Sequence, residues 1–282
     1  MSFPKISIIT PVYNQVGFIE KTILSVLSQN YPNLEYIIID GGSTDGTVDV
    51  IKKYADKLAY WISEPDNGVY YALQKGFKKS TGEIMGWINA DDLLHNQSLF
   101  TISDIFSANN IVKWVTGIPT TIDKTGRIID ILNVRKWSKY NYLLKDYYVI
   151  QQESTYWKRE LWNKAGGDIS LKYKYAGDLE LWARFFKYEK LYSATVPIGC
   201  FRIRQGEQLS SLYLKEYLEE ANSILQSMPK TENEELILKK INRYHKYKLL
   251  LKSDSYKSKY QELFDYPGLI QYSREKQMFL IT

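Results

Sequence analysis

The chain has 282 residues, a formal net charge of +5 and a single cysteine, Cys200. One cysteine excludes an intramolecular disulfide framework, and no apolar run reaches the length needed to span a bilayer. The mild positive balance suits an anionic partner such as a nucleotide, a phospholipid face or a nucleic acid, and does not choose among them.

The opening "MSFPKISIITPVYN" has no charged segment ahead of an apolar one, so it reads as a first strand and not as a signal peptide. A soluble cytoplasmic protein is expected. The first half alternates in periodicity. "KISIITPV", "LEYIIID", "LAYWIS" and "GEIMGWIN" are short apolar runs of strand type. Between them, "VGFIEKTILSVLSQ", "GGSTDGTVDVIKKYAD" and "EPDNGVYYALQKGFKKS" have helical spacing. Ser43 or Thr44 is expected to cap the second of these helices. Strand and helix in this rhythm imply a mostly parallel sheet covered on both faces. Ligands of such sheets bind beyond the carboxyl ends of the strands, where "TPVYN", "DGGSTD", "EPDNG" and "NADD" converge.

A helix, the strand "VKWVTGI" and a hairpin around "DKTGRI" are expected next. The aromatic middle section contains "YVIQQESTYWKRELW", the helical "DLELWARFFKY" and "FRIRQGEQLSS". From about residue 212 the chain turns charged and tyrosine-rich and reads as all helical. No internal repeat or low-complexity tract is present.

In "NADD" an apolar run ends in adjacent carboxylates, Asp91 and Asp92. Such a pair suits magnesium or manganese, which take one or two protein carboxylates plus phosphate oxygens. The competing reading makes Asp91 or Asp92 the cap of a helix over "LLHNQSLF". Asp40, at a strand end, is placed to accept from a ribose or a base, and Gly41 and Gly42 let the backbone approach a ligand. The dinucleotide spacing G-x-G-x-x-G and the phosphate-loop motif are absent.

"ISIITPVYNQ", "LEYIIIDGGSTDGT", "ISEPDNGVYYALQKG" and "TGEIMGWINADD", in this order, resemble inverting glycosyltransferases of family 2. "AGDLELWAR" and "FRIRQGEQLS" extend the likeness loosely to Ser210. The resemblance implies a GT-A fold of the bacterial polysaccharide-building type: a mostly parallel, Rossmann-like α/β sheet flanked by helices. Residues 1–95 would form the nucleotide-sugar half and 96–210 the acceptor half, with 211–282 a helical appendage. It also implies site roles. Pro11, Val12, Tyr13 and Asn14 would line the base pocket, Thr10 would be a further donor contact, and Asp40 would hold the nucleoside. Asp66, Asn67, Gly68 and Lys75 would run along the nucleotide. Asn89 would face the ribose side, Ala90 would touch the donor, Asp91 would bind the divalent cation, and Asp92 would support the cation or reach the donor sugar. Asp178 falls at the general-base position, with Glu180 as its rival, and could instead cap its helix. Gln152 and Glu153 would meet the acceptor, and Trp182 would offer it a platform or sit in the core.

The sequence departs from the family pattern at several places. Asn89 replaces a first aspartate, Gly41 a second acidic residue, and Tyr71 and Gln74 an aspartate and an asparagine. Arg204 stands where relatives place a histidine, and would pair with the diphosphate. The basic, amphipathic C-terminal stretch could lie on an anionic membrane, where a lipid-linked acceptor would be met, or simply pack on the domain or on a second subunit. Nucleic-acid binding is not expected. Two other functions compete with an active enzyme using a UDP-linked donor. One is a catalytically silent nucleotide-sugar-binding module. The other is a nucleotidyltransferase, whose glycine-rich basic first loop is missing from "TPVYNQ".

Overall fold

The computed structural model describes residues 3–146, 150–204, 206, 208, 212–246 and 254–282. The expected boundary at 210/211 and part of the basic stretch lie outside these. The alternating first half folds as its periodicity requires: β1 (Ile6–Val12), α1 (Ile19–Leu27), β2 (Leu34–Asp40), α2 (Thr47–Lys52), β3 (Tyr60–Ser63), α3 (Val69–Lys79) and β4 (Ile84–Trp87). β1 is buried along its whole length, as a central parallel strand covered on both faces must be. Helix α1 turns Ile19, Ile23 and Val26 inward at helical spacing. Helix α3 lies so close to the sheet that a Cβ at Gly76 would stand 2.5 Å from Ile9, so only glycine fits there.

β5 (Leu93–Leu94), α4 (Ser98–Ala108), β6 (Trp114–Ile118), β7 (Thr120–Ile122) and β8 (Ile128–Ile131) follow, with the expected hairpin between β7 and β8. The middle section forms α5 (Lys139–Leu143), β9 (Thr155–Lys158), α6 (Arg159–Lys164), α7 (Gly177–Phe185), β10 (Tyr192–Pro197) and β11 (Gly199–Arg202). With the C-terminal strands β12 (Leu269–Ser273) and β13 (Met278–Ile281), the main sheet runs β13-β12-β10-β6-β9-β4-β1-β2-β3. Its pairings are parallel except where β9 runs against β4 and β6 and where β13 returns along β12. A smaller sheet, β5-β11-β7-β8, stands beside it.

The C-terminal region supplies the expected helices, α8 (Leu214–Ser227), α9 (Glu232–Lys246) and α10 (Asp254–Glu262). It is not helical throughout. β12 (Leu269–Ser273) and β13 (Met278–Ile281) form a hairpin that joins the main sheet through β10. The strands are brief and separated by charged turn residues, so their alternation, which buries Ile270 and Phe279, is masked by the surrounding composition. Helix α8 is no loose appendage either: its Ala221, Ile224 and Leu225 enter the core that holds Trp182.

Candidate active site

The carboxyl ends of β1 to β4 bring the expected loops to one edge. The loops after β1 and β2 are joined by polar contacts. Ser43 Oγ accepts from the Asn14 amide at 2.8 Å, and Asn14 Oδ1 accepts from the Thr44 amide at 2.9 Å. Asn14 adopts φ 49°, a left-handed conformation that asparagine tolerates. Tyr13 projects outward, 60% exposed, next to buried Pro11 and Val12. Ser43 and Thr44 do not cap α2. Gly46 precedes that helix, and Asp45 accepts instead from the Thr47 amide.

Two expected donor contacts are turned into the protein. Thr10 is fully buried, its hydroxyl 3.0 Å from that of Tyr36. Asp40 is also fully buried, and its carboxylate accepts from the Gly42 and Ser43 amides and from the Ser43 and Ser63 hydroxyls. A carboxylate so engaged fixes the shape of the loop after β2. Asp66 accepts from the Gly68 amide at 2.9 Å, beside Gly41. Lys75 pairs with Glu64 at 2.9 Å, and Gln74 accepts from the Ile169 amide.

The acidic turn Asn89-Ala90-Asp91-Asp92 is not a helix cap, since α4 begins only at Ser98 and has no side-chain cap. It is held from behind. The Thr22 hydroxyl lies 2.8 Å from the carbonyls of both Ala90 and Asp92. Fully buried Arg202 donates through Nε to the Asp91 carbonyl, and its amide donates to Asp92 Oδ1 at 2.9 Å. Asp92 therefore points inward, 1% exposed, with Asn89 Nδ2 at 3.3 Å from its second oxygen. Burial, with Asp91 and Glu153 nearby, pushes its carboxyl well above the usual range. Asp92 thus sits behind Asp91 as an anchor for the β11 backbone.

Asp91 has a different partner. Arg204 meets it at 2.9 Å and also reaches Gln15 Oε1 at 3.1 Å, while its guanidinium lies over the Phe18 ring. Burial raises the Asp91 pKa and Arg204 draws it back. Among the described residues no group of three or more His, Cys, Asp or Glu side chains could hold a metal ion. A hard divalent cation that takes its other ligands from a diphosphate and water fits one carboxylate such as Asp91, and a cation demanding a full protein cage does not.

Asp178 stands in the first turn of α7, after Ala176, rather than at the cap. It keeps part of its surface open. Burial raises its carboxyl to about 6, against the pull of the Leu179 amide and the Tyr70 hydroxyl, which lies 3.3 Å from Oδ1. Glu180 is engaged elsewhere, by Arg184 at 2.9 Å. Glu153, 1% exposed, is pushed up to about 8 by burial and by the charges of Asp91 and Asp178. Gln152 Nε2 approaches Asp92 at 3.5 Å. Trp182 offers no platform: it is 1% exposed and stacks against Trp87 at 5.5 Å and Trp114 at 5.6 Å in the core.

Thr22, Tyr70 and Arg202 were not expected from the sequence. For Arg202 a signal existed, because "FRIR" alternates and sets Arg202 and Arg204 on one face of a strand.

An open α/β sheet with acidic residues beyond the carboxyl ends of its strands is the architecture this chain shares with solved glycosyltransferases, the GT-A fold. The chain belongs to Glycosyl transferase family 2, whose profile matches residues 7–165. It is similar to a glycosyltransferase of Haemophilus influenzae, 32% identical over 148 residues, which are 51% of this chain and 59% of that protein. A Rickettsia prowazekii glycosyltransferase is 27% identical over 238 residues, covering 81% and 74% of the two chains. S. aureus TarS, solved with UDP-GlcNAc, superposes with a TM-score of 0.65 at 17% identity over 83% of this chain and 70% of that one. The Pyrobaculum calidifontis mannosyltransferase PcManGT, solved with GDP-Man and Mn2+, gives 0.57 at 16% identity, over 93% and 85%. Among the described residues no helix is long and apolar enough to cross a membrane.

Proposed function

We propose that the chain is an inverting glycosyltransferase that moves a sugar from a nucleotide-sugar donor, UDP-linked, to a hydroxyl of a bacterial surface glycan or of its lipid-linked precursor. The observation that supports this reading is the Asp91 turn beyond the carboxyl end of β4, met by Arg204 at 2.9 Å in a chain of this family, with a partly open Asp178 in the first turn of α7. The donor nucleoside lies over Tyr13 and the loop shaped by Asp40, near Asp66 and Gly68. Asp91 would hold a manganese or magnesium ion, which supplies positive charge to the diphosphate as it departs. Arg204 exchanges its contact with Asp91 for one with the diphosphate. Asp178 takes the proton of the acceptor hydroxyl as its oxygen attacks the anomeric carbon; the bond to the diphosphate breaks on the opposite face and the configuration inverts. Gln152 and Glu153 border the acceptor.

A panel of UDP- and GDP-sugars with Mn2+, read by release of nucleoside diphosphate, tests this. Release that disappears in Asp91→Ala supports transfer. Release of pyrophosphate indicates nucleotidyl transfer instead. Donor binding without turnover, even with acceptor-bearing extracts, indicates a silent binding module.

A further inference from the structure

The loop that delivers Asp178 is held by a residue far along the chain. Glu220, on α8, accepts from the amides of Lys174, Tyr175 and Ala176 at 2.9, 2.8 and 2.8 Å. Charge-assisted bonds from successive backbone amides to one carboxylate are the strong kind, and they fix the backbone rather than a side chain. The same loop is gripped twice more. Tyr175 stacks on Tyr213 at 4.8 Å, and its carbonyl accepts from the Tyr70 hydroxyl at 3.0 Å. That hydroxyl also lies 3.3 Å from both Asp178 Oδ1 and the Asp178 amide. Directly after the loop comes Gly177, where a Cβ would stand 2.8 Å from the Tyr70 ring, so the backbone presses against that ring without slack. Helix α8 itself is anchored in the core by Ala221, Ile224 and Leu225.

We propose that Glu220 is a positioning residue for Asp178, clasping residues 174–176 so that the α7 carboxylate is held at the site by the C-terminal helix α8. The proposal rests on the reading of Asp178 as the general base and extends it to a residue on α8; both lie beyond the span matched by the family profile, which ends at 165. Glu220 has a second effect through space. Its negative charge opposes ionisation of Asp178. The other titratable groups facing Asp178 are Tyr70 from α3, Tyr142 from α5, Glu153 ahead of β9 and Tyr217 from α8. Removing the Glu220 charge while keeping an acceptor therefore moves the Asp178 titration to lower pH.

The test uses the full chain and two variants, Glu220→Gln and Glu220→Ala, without any donor at first. Carboxyl 13C NMR of Asp-labelled protein follows Asp178, assigned by the resonance missing from Asp178→Asn. Amide hydrogen exchange reports the clasp. Expected are a lower Asp178 midpoint in both variants and, in Glu220→Ala, exchange at least about tenfold faster at residues 174–176 with β1 and β4 unchanged. Turnover of whichever of UDP-glucose, UDP-GlcNAc and GDP-mannose the wild type hydrolyses fastest should fall about 10–100-fold in kcat for Glu220→Ala with little change in KM, and recover partly in Glu220→Gln. An unmoved midpoint with unchanged exchange overturns the proposal. If midpoint and exchange respond but Asp178→Asn keeps full turnover, the base assignment fails, and Glu220 is a structural clasp rather than a positioning residue.

Discussion

Asp178 is the proposed proton acceptor, and pH distinguishes it from Glu153, another carboxyl raised by burial. Burial raises Asp178 to about 6 and Glu153 to about 8. A base works only when ionised, so its rate contribution rises with pH through its own midpoint. For Asp178 the ionised fraction is about 0.1 at pH 5 and about 0.9 at pH 7, so kcat/KM should climb about tenfold over that span. From pH 6.5 to 8.5 it should then gain only about 1.3-fold, whereas a base like Glu153 would gain about 25-fold over the same interval. The assay is the initial rate of nucleoside diphosphate release at donor concentrations well below KM, with Mg2+ held constant. Asp178→Asn should abolish the limb near pH 6 together with most of the rate, and Glu153→Gln should leave that limb in place. A rate that is flat from pH 5 to 7 and rises toward 8.5 would refute the assignment of Asp178.

The acidic turn divides its labour, so its two carboxylates should respond differently. Asp91→Asn should remove divalent-cation dependence and lower turnover at least about 100-fold, measured by cation titration of nucleoside diphosphate release. Asp92→Asn, which keeps an oxygen for the Arg202 amide, should bind cation and donor nearly as the wild type does, by calorimetry. Arg204 competes with a cation for Asp91. Arg204→Ala should therefore bind Mn2+ more tightly in the absence of nucleotide, by electron paramagnetic resonance, and yet turn over about 10–100-fold more slowly because the leaving diphosphate loses its guanidinium. Trp182→Ala should cost about 3–5 kcal/mol by denaturant unfolding, the range for a large aromatic removed from a packed core. An acceptor platform would instead give unchanged stability with a raised acceptor KM.

What the sequence revealed and what it hid follow from the range of the interactions involved. The strand-helix rhythm of the first half is a local signal. It leads to one consequence, a parallel sheet with its loops at one edge, so the positions of Tyr13, Asp66 and Asp91 could be read from spacing alone. Whether a polar side chain at that edge faces outward or inward is settled by distant partners. Asp40 is claimed by Ser63, Thr10 by Tyr36, and Asp92 by the amide of Arg202. None of these pairings leaves a periodic trace. Trp182 shows the same limit, since its stacking partners Trp87 and Trp114 come from strands widely separated along the chain.

The C-terminal region shows why composition is a poor guide to connectivity. Its charge marks the solvent faces of α8 and α9 and conceals two facts: α8 reaches the loop ahead of Asp178, and the last hairpin continues the sheet that begins at β3. A carboxylate in a glycosyltransferase site needs a fixed direction as much as a raised pKa. Here the direction comes from outside the motif that bears the residue. Grafting "YAGDLELWAR" onto a sheet without α8 would therefore carry over the aspartate but not its alignment, because the amides of residues 174–176 would lose the acceptor that holds them.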